Sequence, residues 1–145
     1  MPSPPYEAMK FIEKQKAVGN YVDQTPLFGL DDSVIKGAFY TGCAILWDLH
    51  GTKPVTIEAA HRHDWPEVLI FAGTQKDNPR DLGGEIEFWI EDEKYLLTKS
   101  SLIYAPGGVV HGPMLINRID SPIGFFTAGT GSSYGREWEE PNPIA

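Results

Sequence analysis

The chain has few of the residues that mark disulfide-bonded, membrane-spanning or nucleic-acid-binding proteins. It holds one cysteine among 145 residues, so no intramolecular disulfide can form. Its apolar runs fall well short of the roughly 20 residues that cross a bilayer. Lysine and arginine number 12 against 20 aspartates and glutamates, and this net charge of −8 disfavours nucleic acid and anionic membranes as partners.

The composition that remains is typical of one globular domain, and nothing in it points to an oxidising compartment. Apolar residues make up 41% of the chain and charged residues 22%, which suits a folded protein rather than a disordered one. Cys43 lies in an apolar run, where a buried inert thiol is the expected state. Residues 1–5 lack the basic start and apolar stretch of a secretion signal, so we expect a cytoplasmic protein.

The pattern along the chain predicts one short helix and then many strands. Spaced apolar residues among lysine and glutamate predict a helix over Tyr6–Val18. Beyond it lie short β-type runs broken by Gly, Pro, Asn and Asp, and they indicate an antiparallel sandwich or barrel. The predicted strands are Ala38–Trp47, Val55–His63, Glu67–Ala72, Glu85–Ile90, Lys94–Thr98, Leu102–Ala105, Met114–Arg118 and Ile123–Ala128.

Two histidines fall on the apolar face of one predicted strand. Val55, Ile57 and Ala59 alternate with residues of the other face, and the same period of two places His61 and His63 on the buried side. Polar groups in an apolar interior are costly unless they have partners. A histidine pair alone is more often structural than metal-binding, so a metal site needs further ligands from elsewhere in the chain.

Glu67 and His111 complete a candidate metal site. A turn after His63 reverses the chain, and because antiparallel neighbours lie about 4.8 Å apart, Glu67 on the next strand can reach the same ion. Later, Pro106-Gly107-Gly108 predicts a tight turn that leads into a strand at His111. Three neutral imidazoles and one carboxylate suit a divalent transition metal: iron, manganese, nickel, cobalt, copper or zinc.

These segments resemble the two signature motifs of the cupin superfamily, a His-x-His-Glu segment and a Pro-x-Gly-x-x-His segment. The matching residues are His61, His63, Glu67, Gly73, Pro106, Gly108 and His111. The departures lie outside the ligand positions: Val55 and Ser100 stand where the family has glycine, and Leu115 where it has asparagine.

The resemblance implies an all-β, antiparallel jelly-roll barrel over residues 37–129, with the three histidines and Glu67 as metal ligands. We expect residues 1–36 to form an extension that carries the short helix, and residues 130–145 to form a tail that packs on the barrel. The resemblance also implies a homodimer.

A metal held by these residues predicts an enzyme that acts on a small oxygen-bearing organic substrate. Four protein ligands on an ion that takes six leave room for substrate or dioxygen. The sequence does not separate an oxygenase from a metal-assisted lyase or isomerase. Two further alternatives are a non-catalytic binder of a small molecule and a purely structural metal. A transcription factor is disfavoured because no basic cluster precedes the barrel.

Residues other than the ligands are harder to place from sequence. Tyr104, two residues before the Pro-Gly turn, is a candidate for a pocket hydroxyl that transfers a proton. The aromatic side chains that we consider as pocket lining are Trp47, Phe71, Phe88 and Phe126. Residues 73–84 are predicted to form a long loop that either covers a site or contacts a partner.

Overall fold

Short runs of β-branched and aromatic residues form strands throughout the described chain. The structure, a computed structural model, describes residues 19–131 and the backbone of residues 137 and 138. Within these residues there is no helix long and apolar enough to cross a membrane. The strands are β1 (Tyr21–Leu30), β2 (Tyr40–His50), β3 (Val55–Glu58), β4 (His61–Arg62), β5 (Glu67–Gly73), β6 (Asp81–Ile90), β7 (Glu93–Lys99), β8 (Ser101–Ala105), β9 (His111–Ile119), β10 (Ile123–Gly129) and β11 (Glu137–Trp138).

The strands form two antiparallel sheets, which agrees with the predicted all-β jelly roll. The first sheet has the order β1-β2-β10-β5-β8. The second has the order β11-β4-β9-β6-β7, and β3 also pairs with β9. Most neighbours in these orders are distant in sequence, as the crossing connections of a jelly roll require.

The predicted closed barrel is not formed by the described strands, because no backbone ladder joins the two sheets. The chain passes between sheets through short irregular stretches that cannot continue a ladder. Residues 63–66, for example, take it from β4 in the second sheet to β5 in the first. Two facing sheets with bends at their corners are the result.

The first sheet begins earlier in the chain than the predicted barrel does. Strand β1 lies inside the range 1–36 that we expect to be an extension, and it pairs with β2 along its whole length. Two register shifts, between Asp23 and Gln24 and between Pro26 and Phe28, interrupt the alternation of its side chains. For this reason the sequence pattern did not predict a strand here. The helix predicted over Tyr6–Val18 lies outside the described residues.

The apolar core fills the space between the sheets. Phe71 from the first sheet and Phe88 from the second are almost fully buried, and Phe71 stacks on Phe125 with 5.0 Å between ring centroids. Leu46, Ile86, Ile116 and Ile123 complete the centre of this cluster. Phe71 and Phe88, which the sequence offered as candidate pocket lining, therefore pack as core residues.

The outer faces of the two sheets differ in character. Paired residues point to the same side of a sheet, so the register places a row of Phe28, Cys43, Phe126, Ile70 and Leu102 across the outer face of the first sheet. The apolar part of this face consists of that row and the row on either side of it, and none of these side chains carries a formal charge; the outward-facing pair Asp23 and Asp48 lies beyond them, where β1 begins and β2 ends. The other members of the apolar part are Thr25, Leu30, Thr41, Ile45, Val68, Ala72, Tyr104, Gly124 and Ala128.

The outer face of the second sheet carries charges, as a solvated face should. Glu85 is paired with Arg118, and Glu87 is paired with Leu96, diagonally across from Lys94 on the neighbouring strand. On the first sheet, by contrast, Leu102 is 64% exposed and Phe126 is 39% exposed. These three rows of the first sheet therefore form an apolar surface without formal charge, which we call the apolar face.

The thiol of Cys43 should react slowly, because it is buried beneath that face. Burial raises the pKa of Cys43 by penalising the thiolate, and the thiolate is the reactive form. We therefore expect alkylation at pH 8 to be at least roughly tenfold slower in the native protein than in urea, and to accelerate only at a pH more alkaline than an ordinary thiol needs. A thiol assay checks both rates. Equal rates in native and unfolded protein would contradict the prediction.

The loop predicted over residues 73–84 is shorter than expected and lies far from the start of β5. Strand β6 already begins at Asp81, so residues 74–80 make the connection. The Gly73 N–H donates to Ser100 Oγ over 2.8 Å, which ties the base of the loop to the connection between β7 and β8. Six residues of extended chain, about 20 Å, separate Gly73 from Glu67. The loop therefore does not cover the end of β5 that carries Glu67.

Candidate metal centre

The structure brings His61, His63, Glu67 and His111 together between the two sheets. His61 and His111 are paired on neighbouring strands of the second sheet, Glu67 opens β5 in the first, and His63 lies in the connection between them. One ligand atom from each residue lies within 4.8 Å of every other, and all four residues are at most 5% exposed. This group can hold a single metal ion.

Each imidazole is oriented by a hydrogen bond from its Nδ1 atom to a backbone carbonyl. The Nδ1–H of His61 donates to Ala59 over 2.9 Å, and that of His111 to Val109 over 3.0 Å. His63 makes the same kind of bond, 2.6 Å long, to the carbonyl of Trp65. Because a carbonyl oxygen only accepts, Nδ1 carries a proton in all three rings, and in the neutral imidazole Nε2 then presents a lone pair.

The Nε2 atoms face another acceptor. Glu67 Oε1 lies 3.3 Å from His63 Nε2 and 3.1 Å from His111 Nε2. A carboxylate and a lone pair cannot hydrogen-bond to each other without a proton between them. A divalent cation satisfies all of these acceptors at once, and nitrogen with carboxylate oxygen is a donor set that transition metals prefer. The ligand atoms of these four residues therefore fit the divalent metal that the cupin resemblance implies.

The two cupin-like motifs are locked to each other by the glycine turn. The N–H of Gly108 donates to the carbonyl of His63 over 2.8 Å. A Cβ atom on Gly107 would collide with the carbonyl of Asp64, so only glycine allows the turn to approach so closely. This contact joins the histidine pair to the strand that carries His111.

Trp65 supports the site although the sequence analysis did not select it. Its ring stacks on His63 with centroids 3.7 Å apart and an interplanar angle of 11°, and its carbonyl accepts the Nδ1–H of the same histidine. Side chains on Gly129 or Gly131 would collide with the indole ring. The Tyr40 ring also lies beside the indole, with 5.6 Å between centroids. The position of Trp65 between the two motif histidines and Glu67 is the signal that could have identified it.

Glu58 is a second residue that sequence reasoning missed. Ile57 and Ala59 are buried as the alternation predicts, but a register shift between Thr56 and Glu58 sets Glu58 opposite the buried residue Met114. Its Oε1 atom lies 3.6 Å from His61 Nε2. A β-bulge has no clear sequence signature here, so simple alternation assigned Glu58 to the outer face.

The structure does not bring the predicted proton-transfer residue to the metal cluster. Tyr104 is paired with Val68, one position out of phase with Glu67, and is therefore on the apolar face, 57% exposed. Trp47 and Phe126 are also outward and exposed, and Trp47 Nε1 donates to Thr25 Oγ1 over 2.9 Å.

A different set of residues lines a cavity of about 170 Å³ near strands β1, β2 and β10. Tyr40 and Thr127 contribute its polar groups, and the Thr127 hydroxyl donates to the Tyr40 hydroxyl over 2.9 Å. The remaining lining residues are Pro26, Phe28, Gly42, Cys43, Ala44 and Phe125. Tyr40 also contacts Trp65, so this cavity borders the side chains that support His63.

A second group of possible metal-binding side chains, Asp23, Asp48 and His50, lies on strands β1 and β2. Asp48 and His50 are exposed, and His50 stacks on Tyr21 with centroids 4.6 Å apart. His50 is the last residue of β2. Exposed acidic groups of this kind are common on protein surfaces, so the buried cluster is the candidate functional site.

Comparison with solved structures identifies the fold of this chain. Neither a protein-family model nor a curated protein sequence matches the chain. Among solved structures, a Klebsiella pneumoniae protein with a double-stranded β-helix domain is similar at a TM-score of 0.50 and 13% identity, over 91% of this chain and 93% of that one. The double-stranded β-helix is the architecture of the cupin superfamily. This chain has the cupin fold.

Other structures with the same architecture differ in activity. An oxalate oxidase in complex with the substrate analogue glycolate has a TM-score of 0.53 and 11% identity; the match covers 90% of this chain but 62% of that one, less than two thirds of its length. Peruvianin-I, a cysteine peptidase from Thevetia peruviana latex, also has a TM-score of 0.53, with 12% identity over 95% of this chain and 79% of that one. The cupin fold therefore does not decide the activity, which has to be argued from the site.

Proposed function

We propose that this protein is a metal-dependent cupin enzyme that acts on a small, oxygen-bearing organic substrate. The observation that carries the proposal is the buried cluster in which backbone carbonyls hold Nδ1 of all three imidazoles while His63 and His111 turn Nε2 towards Glu67. Hydrogen bonds of this type fix the tautomer and orientation of metal-binding histidines. A core that only needed packing would gain nothing from four buried polar groups.

His61, His63, Glu67 and His111 would hold the ion. A bound divalent metal supplies a Lewis acid for a substrate oxygen and, if it is redox-active, a means of using dioxygen. The chain itself supplies orientation: the backbone carbonyls and the Trp65 ring fix the imidazoles, and the surrounding core keeps bulk water away. Within this class, oxygenase-type chemistry and metal-assisted lyase or isomerase chemistry both fit.

The same features support a second candidate, a non-catalytic protein that binds a small molecule through its metal. A cysteine-dependent activity is less well supported. Cys43 is outward on the first sheet whereas Glu67 is inward, so the thiol and the histidine cluster lie on opposite sides of that sheet. A nucleophilic cysteine needs a nearby base.

Turnover assays separate these candidates. We expect protein loaded with iron(II), manganese(II) or zinc(II) to convert at least one member of a panel of small dicarbonyl, phenolic and hydroxy-acid compounds. Mass spectrometry identifies the product, and parallel reactions without oxygen assign the class: loss of turnover indicates an oxygenase, and persistence indicates a lyase or isomerase. A His63→Ala variant is the control. Metal-dependent binding without any product would favour the second candidate instead.

We also propose that two copies associate through the apolar face. Five strands about 4.8 Å apart and some five residues of about 3.3 Å each give this face roughly 400 Å² in projection. A patch of about that size is often functional in a protein, and it would supply roughly half of the ~800 Å² that each partner contributes to a standard interface. Each copy carries a net charge of −8, so a charge-free contact is also where electrostatic repulsion is weakest.

A further inference from the structure

A second carboxylate borders the metal cluster on the side of His61. The register shift in β3 turns Glu58 towards Met114, and its side chain is only 18% exposed. Its Oε1 atom lies 3.6 Å from His61 Nε2, too far for a hydrogen bond but close enough to act on any charge held at that nitrogen. Glu58 is not among the four residues whose ligand atoms all lie within 4.8 Å of one another.

The position of Glu58 matters for the charge that the site can accept. A divalent ion with Glu67 alone keeps one net positive charge, which an anionic substrate would neutralise. Glu58 adds a second negative charge at short range in a partly buried setting, where charges act on each other more strongly than in water. An additional anion at the ion is then disfavoured, since like charges repel and a buried excess charge is costly.

We propose that Glu58 is a specificity-determining residue that favours neutral hydroxyl- or carbonyl-bearing substrates over carboxylates. This inference rests on the proposed function, because it assumes an ion held by the four-residue cluster. Glu58 acts through the charge of its carboxylate beside the ion and need not bind the metal itself. The substrate class would then differ from that of a cupin which binds small carboxylic acids.

Binding of glycolate and glycolamide to cobalt(II)-loaded protein tests the proposal. These two probes offer similar oxygen atoms to a metal and differ mainly in charge. Visible absorption of the cobalt or calorimetry gives the two dissociation constants, and their ratio cancels effects that are common to both probes. We expect Glu58→Gln to shift this ratio towards glycolate by roughly tenfold, or about 1.4 kcal/mol.

Glu87→Gln is the matched control. Glu87 lies on the outer face of the second sheet and accepts a hydrogen bond from Trp89 Nε1 over 2.8 Å, which a glutamine oxygen can also accept. We expect its probe ratio to stay within about twofold of the wild-type ratio. Glu58→Asp, which retains the charge, should also stay close to wild type, and circular dichroism verifies that each variant is folded.

The outcomes separate this inference from the proposed function. If Glu58→Gln loads cobalt and binds both probes with the wild-type ratio, the inference about Glu58 is wrong while the metal site stands. If the wild-type protein loads no cobalt, the proposed function fails first. If Glu58→Gln and Glu58→Asp shift the ratio equally, the effect comes from side-chain shape rather than charge, and the inference is likewise overturned.

Discussion

Glu67→Gln should abolish tight metal binding while leaving the metal-free protein folded. The carboxylate is the only charged member of the four-residue cluster, and its Oε1 atom lies within 3.3 Å of two Nε2 atoms. Loss of a group that merely hydrogen-bonds to a ligand weakens metal sites about 10–100-fold, so we expect loss of a direct ligand to cost more than roughly 100-fold in affinity. Inductively coupled plasma analysis of dialysed protein, combined with cobalt(II) titration, measures the change.

The same variant should separate a site for chemistry from a structural metal. At a thousandfold excess of metal over its dissociation constant, binding stabilises the wild-type protein by about 4 kcal/mol. We expect this gain to disappear in Glu67→Gln. Without metal the variant should lose no stability, because its amide can donate to an Nε2 atom where the wild-type carboxylate needs a proton in between.

Thermal unfolding with and without metal, alongside Glu85→Gln, gives the comparison. Glu85 accepts a hydrogen bond from Asn117 on the second sheet and is a carboxylate away from the cluster, so this control should retain the full metal-dependent gain. Wild-type affinity in Glu67→Gln would overturn the assignment of the metal centre. Unfolding of the wild-type protein on chelation would favour a structural metal instead.

Phe126→Asp should convert the proposed homodimer into a monomer. Phe126 lies near the middle of the apolar face, between Cys43 on β2 and Ile70 on β5. In a symmetric dimer the substitution would introduce two carboxylates into a charge-free contact. A buried charge without a partner costs about 3–5 kcal/mol, which corresponds to more than a roughly 100-fold rise in the dissociation constant.

Leu96→Asp provides a control with the same change of chemistry in another place. Leu96 is 52% exposed on the outer face of the second sheet, beside the charged residue Glu87. We expect this variant to remain dimeric. Sedimentation equilibrium or light scattering over a concentration series determines the mass of each protein. A monomeric wild type, or equal dissociation of both variants, would contradict the proposed interface.

Much of the metal centre could be predicted from local sequence. The period of two that places His61 and His63 on one face is a property of any extended strand, and it needs no information about neighbours. The glycine turn before His111 is equally local, because positive backbone angles and close approach favour glycine. Most strands between Gly37 and Gly129 were also predictable to within a few residues at their ends, but the predicted strand Val55–His63 is divided into β3 and β4, and β11 was not predicted.

Features that depend on pairing between distant segments were not predictable in the same way. Glu58 turns towards His61 only because β3 shifts its register against β9, about 56 residues later in the chain. Tyr104 faces outward because the register between β8 and β5 sets it opposite Val68, the residue next to the inward-facing Glu67. The phase of β8 cannot be determined from its own residues because both of its faces carry apolar side chains. In β3 the alternation is clear, but the bulge before Glu58 interrupts it.

The composition of the apolar face also depends on strand register and could not be predicted from sequence. The sequence of β10 alone does not tell whether Phe125 or Phe126 is in the core; the register assigns Phe125 to the core beside Phe71 and leaves Phe126 in solvent. By itself, the sequence determined the identity of the metal-binding side chains and the local turns and periodicity that present them. Only the tertiary structure decided which carboxylates border the cluster and which aromatic residues reach the surface, because both depend on the register between strands that are far apart in the chain.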